Sequence, residues 1–115
     1  MASMNRVHLL GNLTRNPEIR ELPSGMSVSE FGMAINESYK NGDGEKVEKV
    51  CFIDITTWDK TAKVCEKFLK KGMPVLIEGR LQLDQWKTDS GEKRSKLKVC
   101  ADRVHLLPRG NGKDA

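Results

Sequence analysis

Long apolar runs are missing from this chain of 115 residues. Its apolar stretches are short and interrupted, as at Val75 to Ile77, and nothing approaches the ~20 apolar residues that a membrane helix needs. No membrane partner is expected. Cysteine chemistry is equally thin. Cys51, Cys65 and Cys100 are odd in number, far apart and without a CxxC pair, which argues against a disulfide framework and a zinc site and favours buried free thiols. His8 and His105 lie at opposite ends of the chain, and there is no HExxH, GxSxG or Gly-Lys-Ser/Thr loop for metal, acyl or phosphate chemistry. No catalytic residue, metal or cofactor is therefore expected, and the chain does not read as an enzyme. The start, Met1-Ala2-Ser3-Met4, lacks the succession of regions of a secretory signal, so a cytoplasmic protein is expected.

Aromatic residues are scarce as well. Only six are present, Phe31, Tyr39, Phe52, Trp58, Phe68 and Trp86, so the direction in which each points is informative. The length suits one domain, placed at residues 1–107, with 108–115 as a short polar tail. A formal net charge of +4 and a pI near 9.1 permit a nucleic-acid partner without requiring one. The positive charge is concentrated late: residues 61–115 hold 13 Lys and Arg against 7 Asp and Glu, whereas residues 31–60 hold 4 against 6.

Strands announce themselves by a period of two. Val7, Leu9 and Leu13 alternate with His8 and Asn12 between Arg6 and Leu13, and a short run follows from Glu18 to Leu22. From Val28 onward, Phe31, Met33 and Ile35 share one parity and are assigned to the core. Asn41-Gly42-Asp43-Gly44 is turn chemistry. In the next strand, Val50 to Trp58, Cys51, Ile53 and Ile55 fall on one face and Phe52, Asp54, Thr56 and Trp58 on the other. Burying the aliphatic set leaves two large rings beside polar residues. Val75 to Trp86 repeats the pattern, with Val75, Ile77, Leu81 and Leu83 opposed to Arg80, Gln82, Asp84 and Trp86. Leaving large rings beside charges forgoes roughly 1.5 to 3 kcal/mol of burial for each, which points to a partner surface.

One helix is expected between these strands, capped by Asp59, packed through Ala62, Cys65 and Leu69 with Val64 and Phe68 alongside, and stopped at Gly72. Phe68 is assigned to the core with Phe31. A second polar turn, Thr88 to Lys93, leads to a last strand from Arg94 to about Leu107. There Leu97, Val99 and Ala101 point inward and Arg94, Lys96 and Lys98 outward. The order predicts an all-β fold, a five-stranded Greek-key OB-fold barrel with one α-helix between strands 3 and 4 and long β-hairpin loops.

Asn5-Arg6-Val7, Gly11-Asn12-Leu13-Thr14-Arg15-Asn16-Pro17-Glu18, Pro23-Ser24-Gly25, Trp58-Asp59-Lys60, Leu69-Lys70-Lys71-Gly72 and Glu78-Gly79-Arg80-Leu81 resemble, in register over residues 4 to about 107, bacterial single-stranded DNA-binding proteins. The resemblance implies sequence-independent binding and protection of single-stranded DNA in replication, recombination and repair. It implies stacking of bases on Tyr39, Phe52, Trp58 and Trp86, and adds Tyr39 to the three rings that parity had already turned outward. Arg6, Arg20, Lys40, Lys60, Lys71, Lys87 and Arg94 are the phosphate candidates, chosen by their placement near the rings or by match to the family's basic positions. The resemblance further implies a nucleoid-associated homotetramer, built by first-strand pairing and sheet packing. Replication and repair proteins are implied partners of a full-length form carrying an acidic tail, which the residues up to Ala115 do not contain. Besides the tail, two further departures from the family pattern stand out: Gln82, Asp84 and Gln85 occupy a strand that is often basic, and Asp54 sits between Phe52 and Trp58. An OB-fold module for RNA or replication restart, and a protein-interaction module using the rings, are the competing readings.

Overall fold

A computed structural model describes residues 1–108. Six strands and one helix follow in the order β1 (Val7–Leu13), β2 (Glu18–Glu21), β3 (Ser27–Lys40), β4 (Lys46–Trp58), α1 (Asp59–Phe68), β5 (Pro74–Lys87) and β6 (Lys93–Leu106). Five of the strands close into a barrel with neighbours β1, β5, β6, β4 and β3, while β2 adds to the far edge of β3. Closure comes from Asn12 and Leu13 of β1 opposite Ala34 and Met33 of β3, and from a parallel pairing of Ile55 and Thr56 with Val99 and Cys100. This is the expected all-β OB-fold barrel, with β2 as an extra strand. Beyond Pro108, the polar tail expected at 108–115 lies outside the described residues.

The core follows parity where the strands belong to the barrel. Leu13, Phe31, Met33, Ile55, Val75, Ile77, Val99 and Ala101 form one buried cluster, closed at one end by Cys65 and Leu69 from the helical segment. Burial pushes the Cys65 thiol up to about 11, against a hydrogen bond with Thr57 that lowers it, so this cysteine stays a protonated core residue. Gly79 permits close strand approach, because a Cβ there would lie 2.1 Å from the Cys100 carbonyl oxygen. Opposite it, Glu78 pairs with Arg103 and Gly79 with Ala101, leaving Asp102 as a bulge residue. That bulge moves β6 by one residue, which is why Val99 and Ala101 are followed on the core side by Val104.

Parity fails on the arms. Strands of 13 and 14 residues reach about 45 Å at about 3.3 Å per residue, longer than the barrel that covers their inner faces. Cys51, Leu83 and Leu97, expected inward, are exposed because the β3–β4 and β5–β6 hairpins carry them past the core, and Leu81, also expected inward, is exposed although its partner Val99 is buried. The loops are correspondingly short and the paired arms long. Asn41 Oδ1 accepts the N–H groups of Asp43 and Glu45 in one turn, and Thr88 Oγ1 accepts that of Glu92 in the other.

The helix differs from expectation at both ends and on one flank. Its N-cap is Trp58, extended and without a side-chain cap bond. Asp59 is the first helical residue, at φ 55°, a left-handed conformation that Asp tolerates better than most residues. The C-cap is Leu69, whose N–H donates to the Cys65 carbonyl. Gly72 instead takes φ 90° in the turn to β5, where its N–H donates to the Leu13 carbonyl. Phe68 is not core: Cys65 and Leu69 occupy the buried stripe, so Phe68 falls on the flank and is half exposed, with the Lys67 ammonium 5.3 Å from its ring centre.

Candidate nucleic-acid interface

Three rings stand on one face of three adjacent strands. Cross-strand partners share a face, and Trp86 lies opposite Arg94, Asp84 opposite Lys96 and Gln82 opposite Lys98. The parallel partner of Cys100 is Thr56, which carries Asp54, Phe52 and Trp58 onto the same side. Phe52 is 71% exposed, Trp86 49% and Trp58 39%. Tyr39 is half exposed but takes the other parity, that of Phe31 and Met33, on the arm beyond the barrel. The structure thus brings Phe52, Trp58 and Trp86 to one face and leaves Tyr39 on the opposite face of the same hairpin.

Cations surround the rings unevenly. Trp86, Lys87, Lys93, Arg94 and Gln85 line a shallow cleft of about 280 Å³ at the β5–β6 tip, which joins two phosphate candidates, Lys87 and Arg94, and also Lys93 to one ring. The last rungs of both hairpins oppose lysine to lysine, Lys40 to Lys46 and Lys87 to Lys93. Like charges so placed repel and favour an anionic partner. Arg6 is held by Asp102 at 3.1 Å, and Arg80 shares that carboxylate at 3.0 Å. Arg20 lies 3.7 Å from Glu30 on the β2–β3 edge. Lys60 lies elsewhere, in a concavity with Asp102, Arg103 and His105. The Lys71 backbone N–H donates to Asn16 Oδ1 in the turn before β5.

Three cations on the face were missing from the phosphate set: Arg15, Lys96 and Lys98. The parity that singles out Arg94 also selects Lys96 and Lys98; Arg15 reaches the face over Gly32, where a Cβ would meet the Thr14 hydroxyl first and the Arg15 guanidinium at 2.7 Å. All three are paired with carboxylates. Lys96 and Arg15 grip Asp54, the latter at 3.5 Å, and Lys98 binds Asp84 at 2.8 Å. Gln82 extends the second pair, donating to Asp84 Oδ1 and accepting from the Cys100 thiol, each at 2.8 Å.

These pairs depress both carboxyls. A hydrogen bond from Lys96 holds Asp54 below its ordinary value against partial burial, with Arg15 adding to the pull. A hydrogen bond from Lys98, then one from Gln82, does the same for Asp84. A carboxyl with a lowered folded-state value stabilises the fold fully above its unfolded value, near 3.8, and loses that contribution as pH falls through the folded value. Urea midpoints are therefore expected to drop between about pH 5 and about pH 3 and to drop less in Asp54→Asn. An equal drop in both proteins would exclude the Asp54 pairs as the cause.

A closed five-stranded barrel in the order β1, β5, β6, β4, β3, with one helix between β4 and β5, defines the OB-fold class of proteins. Comparison with known sequences narrows this, because the model of the single-strand binding protein family matches residues 4–107. The chain belongs to the single-strand binding protein family. A single-stranded DNA-binding protein of Wolinella succinogenes is 46% identical over 103 residues, covering 90% of this chain and 64% of the relative. One from Deinococcus radiodurans is 44% identical over 110 residues, 96% of this chain and 36% of the relative. The chain thus spans less than two thirds of the length of these relatives. Among solved structures, the wild-type single-stranded DNA-binding protein from Thermus aquaticus superposes with a TM-score of 0.82 at 30% identity, over 95% of this chain and 52% of that one. A Plasmodium falciparum SSB in complex with ssDNA gives a TM-score of 0.87 at 24% identity, over 94% and 98%, a likeness of fold.

Proposed function

We propose that this chain binds single-stranded DNA without choosing sequence and protects it during replication, recombination and repair, acting as a binder and not as an enzyme. The observation that carries the reading is the common face of Phe52, Trp58 and Trp86, exposed among cations. Every base has a π-face, so rings accept any sequence, while the cations follow the phosphates. Stacking on these rings and on Tyr39, with phosphate contacts from Arg6, Arg20, Lys40, Lys60, Lys71, Lys87 and Arg94, constitutes the site. Names of the relatives, single-stranded DNA-binding proteins, support the ligand.

The working form is a cytoplasmic, nucleoid-associated homotetramer. Its support is the open side of β1: Val7 to Gly11 pair with β5, whereas β3 reaches only Asn12 and Leu13. Beside that edge, Leu10 is exposed. Such an edge is a template for pairing with a second copy. Replication and repair proteins join as partners where a longer form carries an acidic tail.

Competition between oligomers of matched length tests the ligand. A labelled deoxythymidine oligomer is expected to be displaced by unlabelled single-stranded DNA and poorly by duplex; preferential displacement by RNA would favour a reader of 2′-hydroxyls instead. Light scattering is expected to give close to four times 12.9 kDa, and a mass of one chain would overturn the assembly.

A further inference from the structure

Asp54 is a carboxylate in the middle of the ringed face, two residues from Phe52 and four from Trp58 on the same side of β4. Its two oxygens face two cations from separate elements. Lys96 of β6 holds Oδ2, and Arg15, from the connection between β1 and β2, lies 3.5 Å from Oδ1. All three side chains are partly open to solvent, Asp54 at 30%, Arg15 at 43% and Lys96 at 54%. An anion gripped between a guanidinium and an ammonium is also the arrangement in which such side chains hold a backbone phosphate. The Asp84 pair is different, since the Lys98 side chain is only 14% exposed and is fixed within the sheet.

We infer that Asp54 is an internal stand-in for a phosphate of the bound strand. In the free protein it keeps Lys96 and Arg15 on the face between Phe52 and Trp58; on binding, a phosphate takes its place and the carboxylate is released to water. The inference rests on the single-stranded DNA reading above. Exposed ion pairs stabilise a fold only slightly, so exchange of partners is easy, but the carboxylate still competes for both cations. Asp54 therefore sets affinity below what the same cations would give without it. It also flattens the salt dependence, because its own uptake of a solvent cation offsets part of the counterion release.

Binding of a deoxythymidine oligomer to the whole chain, followed by tryptophan fluorescence over a salt series, tests this. Asp54→Asn is expected to tighten binding up to about fivefold and to steepen the slope of log K against log salt by less than the about 0.7 that one neutralised phosphate contributes. Glu66→Gln makes the same charge change on exposed α1 and is expected to change affinity less. An Asp54→Asn affinity no higher than that of Glu66→Gln would overturn the inference while leaving the ligand reading intact. If wild type itself fails to bind at low salt, both fall together. Wild type also offers a check that needs no variant: the carbon-13 signal of the Asp54 side-chain carboxyl is expected to move on saturation with the oligomer. An unmoved signal means that the pairs stay closed, and overturns the exchange.

Discussion

Phe52→Ala is expected to weaken binding of a deoxythymidine oligomer by between about fivefold and about a hundredfold, the equivalent of about 1 to 3 kcal/mol of lost stacking on one base. Stability should hardly change. The ring is 71% exposed and contributes little burial, so unfolding by urea should shift by no more than about 0.5 kcal/mol. This separation of readouts makes the variant informative. A ring used as a protein interface would, on truncation, break an oligomer and leave nucleic-acid affinity untouched. Trp86→Ala should resemble Phe52→Ala in affinity, since its ring stands in a cleft with Lys87, Lys93 and Arg94. Trp58, the least exposed of the three and the N-cap of α1, combines the two roles and is the poorer probe.

Phe31→Ala is the opposite experiment with the same chemistry. This ring is fully buried in the cluster of Met33, Ile55, Val75, Ile77 and Val99, and its removal opens a cavity that strands on several sides of a closed barrel cannot fill. A loss of about 3 to 5 kcal/mol in urea unfolding is expected, the range for large aromatic truncations in cores. Affinity per folded molecule should stay near that of wild type. If Phe31→Ala instead weakened binding without loss of stability, the assignment of the two sheet faces would be reversed.

The contrast between Phe31 and Phe52 was legible in the sequence because a strand has only two faces. Once Ile55 and Ile77 are inside, a period of two places Phe52, Trp58 and Trp86 outside without reference to any homologue. Cys51, Leu83 and Leu97 obeyed the same period and still came out exposed, since parity tells which face a residue takes and not whether anything covers it. Coverage depends on how far the arms run past the barrel, a tertiary quantity. Phe68 is not core because the narrow buried stripe is filled by Ala62 and Cys65 of α1 and continued by its C-cap Leu69, and helical spacing alone leaves the flank undecided. In the sequence Asp54 stands only as a departure from the family pattern. Its partner Arg15 is 39 residues away in sequence and reaches it across Gly32, a route that only the fold discloses. Tyr39 came to the site from resemblance alone, and its parity on β3 sets it apart from the other three rings.

Titration of the chain with a deoxythymidine oligomer, followed by the fluorescence of Trp58 and Trp86 from low to high salt, tests the central claim most directly, since it joins ligand, rings and cations in one observable. Saturable quenching is expected at low salt, with log K falling linearly against log salt by about 0.7 for each phosphate neutralised. Unchanged tryptophan emission at low salt, at concentrations where the related single-stranded DNA-binding proteins are saturated, would contradict the account.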